Sequence, residues 1–371
     1  MELLPVDLDR FWKNDDLAHE DNCFSPNAPQ VALGLRMSEE CVLAEFGEEI
    51  DNPMWIPSSR ERRIELNKRY NDKAEKIVGK RLMKEDFPAD EHKFPEIKRI
   101  GEVFGGRYEI TGGSEWLESD IKTYRQLEQQ LDKIDKTDLR EFILPHNWES
   151  ECKRIYEEVG IKPQSIRGVR GPVTLACSIF GVENLILLLY DEPDLGKRFS
   201  DTMANVIIKI AEITDIEAGE EKPGFAFFDD NCCMLNDELY ESFGYPILKK
   251  VFDRFSPKPH HSRYQHSDSP MEHLLPILGK LNFTGVNFGP TVTVDKIRPH
   301  MPNTRIDGCI SPMTLMSDNK EKIIAETKRD CEAAKIFNKG VNITTAGSIN
   351  YGSTLAGMRS VMWAICEYGT F

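Results

Sequence analysis

The chain has 371 residues, of which 40% are hydrophobic and 29% charged, a composition typical of a globular protein with a large core. Its 47 Lys and Arg against 62 Asp and Glu give a net charge of −15, which argues against nucleic acid or an anionic membrane as partner, because both require a basic surface. No apolar run approaches the roughly 18–20 residues that span a bilayer, and the acidic N-terminus does not resemble a signal peptide. We therefore expect a cytoplasmic protein.

The first part of the chain predicts an irregular segment followed by local elements. Residues 1–57 contain scattered prolines and predict little regular structure. Ser58 or Ser59 is a candidate N-cap for a polar helix that runs to about Leu82. Three elements are then predicted: a hairpin over 102–110 around Gly105 and Gly106, and helices over about 115–136 and 148–160.

From Gln164 onward, β-prone runs alternate with helical stretches six times. The β-prone runs are QSIRGVRGPVTLAC, GFAFFDDNCCM, KPHHSRYQHSD, GVNFGP, NTRIDGCISP and GVNITTAGSI. This alternation is typical of a parallel sheet with helices outside it, and polar residues at successive strand ends favour a (β/α)8 barrel with one central site. No G-x-G-x-x-G or Walker A pattern supports a dinucleotide or P-loop site. We predict a barrel over 111–371 with an N-terminal extension over 1–110.

The stretch YQHSDSPMEHLLPIL joins a polar cluster to a helical pattern. Met271 begins an apolar i, i+3, i+4, i+7 series that predicts a helix with one buried face. His266 and Asp268, two positions apart on a strand, point to the same side of it. Three interpretations remain open: they hold a metal, they exchange a proton, or Asp268 caps a helix that begins at Ser269.

Polar residues also follow the other predicted strands. Asp229 and Asp230 come directly after four apolar residues, where two carboxylates are costly unless they are used, although they alternatively cap the next helix. We expect His266, Asp268 and Asp230 to be catalytic. The residues expected to bind substrate are Asp229, Asn287, Ser348, Asn350 and Tyr351.

Nine cysteines, with no C-x-x-C pair, predict reduced and mostly buried thiols. Cys309 is the exception, because it follows a predicted strand, where the residues of a site collect in this class of fold.

Five segments in order resemble the uroporphyrinogen decarboxylase superfamily. They are RGPVTLA (170–176), FFDDNCCMLNDELYESFGYPILKKVF (227–252), YQHSD (264–268), DGCISP (307–312) and TAGSINYGSTLAGMRSVMWAI (345–365). The resemblance covers roughly residues 100–371 and implies a (β/α)8 barrel. The N-terminal part resembles the branch that moves methyl groups to corrinoid proteins, and within it the first methyltransferases of anaerobic O-demethylase systems.

That resemblance implies transfer of a methyl group from a methoxylated aromatic compound to the Co(I) of a separate corrinoid protein. Zinc-dependent relatives use His-x-Cys and a distant Cys, and the resemblance puts His266, Asp268 and Ser348 at these positions. Asp is a zinc ligand but Ser is a poor one, so Cys309, Asp229 or Asp230 would complete the set. The chain lacks the Asp-x-His-x-x-Gly of B12-binding folds, so the corrinoid is expected on a partner that docks over the strand ends.

Two other classes of function stay open. One is a decarboxylase-like lyase acting on a small carboxylated substrate, for which the strand ends offer only Arg167, Arg170 and Arg263 to bind carboxylates. The other is a barrel that binds a small molecule or partner without catalysis. The polar residues at successive strand ends favour an enzyme over this last class.

Overall fold

A computed structural model of the protein describes residues 3–48, 59–111, 114–349 and 351–371. Two compact units emerge from the contacts within the chain. Unit 1 comprises residues 1–87, 266–272 and 283–371, and unit 2 comprises residues 88–265 and 273–282.

Unit 1 begins with four helices and one short strand. These are α1 (Leu8–Ala18), α2 (Glu20–Cys23), β1 (Ala32–Leu33), α3 (Glu39–Phe46) and α4 (Arg60–Val78). The predicted polar helix is α4: the Ser59 side chain accepts a hydrogen bond from the Arg62 N–H, and Gly79 ends the helix at φ 77°. Local capping chemistry therefore determines both ends of this helix.

Unit 2 contains most of the helices and the hairpin. Its elements are α5 (Ile100–Val103), β2 (Arg107–Thr111), β3 (Ser114–Glu118), α6 (Tyr124–Ile134), α7 (Leu139–Ile143), α8 (Trp148–Val159), β4 (Gly168–Arg170), α9 (Pro172–Phe180), α10 (Val182–Asp191), α11 (Pro193–Ala218), β5 (Phe225–Phe228), α12 (Asp237–Ser242), α13 (Gly244–Phe255) and α14 (Leu275–Leu278). Phe199 on α11 packs at 5.8 Å from Phe104 and 5.5 Å from Phe243, measured between ring centroids. These three fully buried rings form part of the core of unit 2.

The remaining elements include the strands that carry the candidate site. They are β6 (Arg263–Ser267), β7 (Gly285–Phe288), α15 (Val294–Ile297), β8 (Arg305–Asp307), α16 (Pro312–Met316), α17 (Lys320–Ile336), β9 (Val341–Ile343) and α18 (Leu355–Tyr368). All four residues of β7 are buried, as expected for a strand covered on both faces.

In the part of the chain that the structure describes, seven strands form one sheet in the order β1-β9-β8-β7-β6-β5-β4. The strand pairs β4–β5, β7–β8, β8–β9 and β1–β9 are parallel. Each of the six β-prone runs after Gln164 supplies one of these strands, so the predicted parallel α/β class is confirmed. The carboxyl ends of such strands are where active groups collect in this class of fold.

Three local predictions differ from the structure. The hairpin strands are β2 and β3 rather than two halves of 102–110, and β3 occupies the start of the helix predicted from 115. Gly106 lies close to Leu117, where a Cβ would meet the leucine side chain, so this glycine serves packing instead of a turn. In QSIRGVRGPVTLAC only β4 is a strand, because Pro172 begins helix α9 at its favoured first position.

The first 110 residues contribute to the sheet. β1 pairs in parallel with β9, with Ala32 opposite Asn342 and Leu33 opposite Ile343. Part of the segment predicted as an N-terminal extension is therefore a strand of the sheet itself, and the boundary at residue 110 stays a prediction. Two adjacent buried residues are too short a run to produce a strand signal by periodicity.

Within the described residues, no single helix is long and apolar enough to cross a membrane. The pair α9 and α10 meets that test only when taken together, and it is bent by 101°.

Candidate functional site

His266 lies on β6 and Asp268 follows directly after the end of that strand. The His266 Nε2 atom is 3.4 Å from Asp268 Oδ1, and the two side chains are 16% and 45% exposed. The two groups thus converge on one side of the strand, as their spacing predicted. An imidazole nitrogen beside a partly exposed carboxylate is a place where a cation, either a proton or a metal ion, is stabilised.

The interpretation of Asp268 as a helix cap is wrong. No helix begins at Ser269; the chain forms a 3-10 turn at Glu272–Leu274 and then the short helix α14. The apolar face predicted for this stretch is buried, including Met271 and Leu278 at 0% exposure. Asp268 therefore lies in the loop that joins β6 to this turn, not at a helix N-terminus.

Asn287 on β7 is the side chain that holds His266. Its Oδ1 lies 2.7 Å from His266 Nδ1 and also accepts a hydrogen bond from the Gly347 N–H at 3.0 Å. Its Nδ2 donates to the carbonyl oxygens of Thr345, at 3.0 Å, and of Asp307. Asn287 is 6% exposed, so this buried amide makes four contacts at the end of the sheet and orients the imidazole.

Gly347 is held close to the same pair. It has φ +92°, and a Cβ at this position would collide with the carboxylate of Asp268. Only glycine fits both the positive φ and this close approach. The backbone of the loop after β9 therefore forms part of the pocket around Asp268, a contribution that the candidate residues predicted from the sequence did not include.

Asp229 is placed differently from its prediction as a substrate ligand. It is fully buried, and its carboxylate accepts hydrogen bonds from the Thr174 N–H at 2.8 Å and the Thr174 hydroxyl at 2.9 Å. Its other oxygen is 3.4 Å from the Val173 nitrogen. Asp229 thus binds the first turn of helix α9, whose N-terminal N–H groups lack partners within the helix. These contacts support a structural role.

Burial raises the pKa of Asp229 to about 6, because desolvation outweighs the hydrogen bonds that favour its charged form. Its neighbour Asp230 is exposed and begins the 3-10 turn Asp230–Met234. Of the two carboxylates after β5, Asp230 is the one accessible to a ligand.

Cys309 is fully buried, and desolvation raises the pKa of its thiol well above the ordinary value. The backbone around it is bonded to helix α17: the Cys309 N–H donates to Asp330 at 2.7 Å, and Arg329 donates to the Cys309 carbonyl at 2.7 Å. Its role as a metal ligand stays a prediction.

The predicted substrate ligands of the last loop are only partly described. Ser348 is exposed, and Tyr351 is 37% exposed with its N–H bonded to Glu40 at 3.0 Å. Asn350 lies outside the described residues. The roles of all three in binding substrate stay predictions.

The His266 imidazole and the Asp268 carboxylate are donors that zinc accepts. This donor set fits zinc, although it contains none of the thiolates that the resemblance implies for zinc-dependent relatives.

Two residues that contact the strand-end carboxylates were not among the residues predicted from the sequence. Thr174 supplies both groups that bind Asp229 Oδ1, and Gly347 approaches Asp268. Both lie in segments that carried the resemblance, RGPVTLA and TAGSIN. The sequence does not indicate which residues they contact; the one available signal is that Gly347 follows a predicted strand, where a glycine often allows another group to approach the backbone closely.

Comparisons with known proteins bear on both the fold and the family. The profile of the uroporphyrinogen decarboxylase (URO-D) family matches residues 94–351. Among the solved structures that match, one described as a methyltransferase from Methanosarcina mazei superposes with a TM-score of 0.57 at 16% sequence identity. The alignment covers 93% of this chain and 95% of that one. At this identity the likeness shows a shared fold. No curated protein gives a significant sequence match.

Proposed function

The chain belongs to the uroporphyrinogen decarboxylase family, whose profile spans most of it, and from this premise we propose that it is a corrinoid-dependent methyltransferase. Its substrate would be a methoxylated aromatic compound, and the acceptor would be the Co(I) of a separate corrinoid protein. The (β/α)8 barrel predicted from the sequence is the fold of this family.

The observation that carries the proposal is the His266–Asp268 pair beside Asn287. In the reaction, Co(I) supplies the electron pair of the new cobalt–carbon bond, and the electrons of the carbon–oxygen bond go to the leaving phenolate. A phenol has a pKa near 10, so its oxygen leaves poorly unless positive charge or a proton reaches it. A cation held between an imidazole and a carboxylate meets that need.

His266 and Asp268 would hold a zinc ion. Zinc bound there would supply Lewis-acid stabilisation of the phenolate oxygen. Without zinc, a doubly protonated His266 would deliver a proton to the same oxygen while Asp268 stabilises the imidazolium. In either case Asn287 orients the ring, and Gly347 leaves space for the carboxylate.

Two further observations favour methyl transfer within this family. The fold is shared with a protein described as a methyltransferase. A decarboxylase acting on a carboxylated substrate would need cationic side chains, but two of the three candidate arginines are engaged elsewhere, and Arg170 donates to the Ser178 hydroxyl at 3.4 Å. Arg167 binds both oxygens of Asp215 at 2.6 Å, and Arg263 donates to the carbonyls of Ser256 and Leu281.

The test is a methyl-transfer assay with a reduced corrinoid protein and a panel of methoxybenzenes, together with metal analysis of the purified chain. The proposal expects cobalt methylation that depends on one of the ethers. Activity as a decarboxylase, with no methylation for any ether, would overturn it. Tight binding of a corrinoid by the chain alone, with a lower axial His from this sequence, would contradict the separate partner.

A further inference from the structure

We propose that Asn287 is a positioning residue: it holds His266 in the tautomer that carries its proton on Nδ1. This deepens the proposed function, because it identifies Nε2 as the atom that meets the cation. It also changes the expected role of Asn287, which the sequence predicted as a substrate ligand.

The argument begins with the orientation of the Asn287 amide. The Gly347 N–H can only donate, so the amide atom 3.0 Å from it must be the oxygen. The Thr345 and Asp307 carbonyls can only accept, so the atom bonded to them must be the NH2 group. Three neighbours therefore give the same assignment. Rotating the amide by 180° would place two donors against one another at Gly347 and two acceptors against one another at Thr345 and Asp307.

This orientation determines the imidazole. Asn287 Oδ1 is an acceptor 2.7 Å from His266 Nδ1, so Nδ1 must carry a hydrogen and donate it. In the neutral ring, Nε2 then has a lone pair. That atom lies 3.4 Å from an oxygen of Asp268, so a lone pair and a carboxylate face one another. A cation at Nε2 relieves this repulsion.

The same contacts leave Asn287 little capacity for substrate. Its two N–H groups are used by carbonyls and its oxygen accepts two hydrogen bonds, while the residue is 6% exposed. An amide with both donors and both lone pairs engaged has satisfied its hydrogen-bonding potential. Its effect on the reaction would therefore pass through His266.

The direct test observes the ring nitrogens of His266 by 15N NMR in the wild-type chain labelled at histidine, with His266→Ala used to assign the signals. The proposal expects a protonated Nδ1 and, in the neutral ring, an unprotonated Nε2. A neutral His266 with its hydrogen on Nε2 would overturn it. This readout needs neither a methyl donor nor a corrinoid, so its failure is distinct from failure of the proposed function.

Two variants separate positioning from a merely structural role. Asn287→Asp keeps an oxygen for His266 and Gly347 but loses both donors and buries a charge near two carbonyls. Asn287→Ala removes the acceptor. Positioning predicts that Asn287→Asp keeps the Nδ1–H tautomer, whereas Asn287→Ala loses it and weakens Zn²⁺ or Co²⁺ binding by roughly 10- to 100-fold, the usual effect of losing such a partner.

A structural role alone predicts the reverse order, with Asn287→Asp the more damaged variant in metal binding, and that result would overturn the proposal. Asn342→Ala is the matched control: Asn342 lies on β9 and donates to Asp307 Oδ1 at 2.9 Å. Its loss should leave the His266 tautomer unchanged. In the His266→Ala background, Asn287→Ala should cause no further loss of methyl transfer.

Discussion

The ends of β5 and β6 carry similar sequence signals but have different structures. Each strand is followed by acidic side chains, Asp229 and Asp230 in one case and Asp268 after His266 in the other. Asp229 is fully buried and binds the first turn of α9, whereas Asp268 is 45% exposed beside an imidazole. The role of a carboxylate that follows a strand can therefore be inferred only from its partners. Hydrogen bonds from backbone N–H groups favour a structural role, and a neighbouring titratable side chain favours a role in a functional site.

The largest effect is expected for His266→Ala, which removes the imidazole at the end of β6. We expect methyl transfer to fall by about 100-fold or more, the scale associated with a positioned acid or a Lewis-acid site. Thermal unfolding should change little, because the side chain lies at a strand end and is partly exposed. His300→Ala, which removes an exposed imidazole outside the site, is the control. Full activity in His266→Ala would remove this residue from the mechanism.

Asp229→Asn tests whether the buried carboxylate after β5 titrates as its burial indicates. Because the folded-state pKa of Asp229 is about 6, above its ordinary value of 3.8, the folded protein binds this proton more tightly than the unfolded chain. The contribution of Asp229 to stability is present below about pH 4 and is lost as pH rises through about 6. Asn cannot ionise. The free energy of unfolding of the variant should therefore rise relative to that of the wild type by up to about 3 kcal/mol as the pH increases across this window.

The measurement is urea unfolding of both proteins between pH 4 and 7. Parallel stability curves would show that Asp229 does not titrate as its burial indicates. Methyl transfer by the folded variant should stay within a few-fold of wild type. A large loss of activity with unchanged stability would instead support the original prediction that Asp229 binds substrate.

Gly347→Ala tests whether the close approach of this glycine to Asp268 is needed for activity. The added Cβ would collide with the Asp268 carboxylate, and alanine is strained at φ +92°. We expect methyl transfer to fall by roughly tenfold through displacement of Asp268, with about 1–2 kcal/mol lost in stability. Gly352→Ala, also at positive φ but with its nearest neighbour 3.6 Å from the added atom, controls for backbone strain. Equal losses of activity in both variants would contradict a specific effect on Asp268.

Cys309→Ala is expected to have the smallest effect. Removing a buried sulfur should cost about 1 kcal/mol of stability. Bound zinc, measured by elemental analysis, should be unchanged, because burial disfavours the thiolate that a metal ion would bind. Loss of zinc in this variant, with the protein still folded, would restore Cys309 to the ligand set predicted from the sequence.

Much of the fold was predictable because its signals are local. Six β-prone runs separated by helical stretches located six strands of the sheet, and Ser59 marked the start of α4 through its own side chain. The hairpin β2–β3 was misplaced because the glycines of residues 102–110 were assigned to a turn, whereas Gly106 is needed for close packing against Leu117. Glycine serves both purposes, and a single sequence does not distinguish them.

The sequence by itself predicted that His266 and Asp268 converge, because residues two apart in an extended chain point to the same side; the 3.4 Å between them agrees, although Asp268 lies just past the end of β6. Only the tertiary structure decided what each strand-end residue contacts. Asp229 contacts the first turn of α9 because Thr174, 55 positions earlier, donates both its N–H and its hydroxyl to the carboxylate. The amide of Asn287 contacts His266 and is itself bonded to Thr345 and Gly347, which lie 58 and 60 positions away in sequence. Such partners come together through the tertiary arrangement of strands, helices and loops, which no pattern within one segment records.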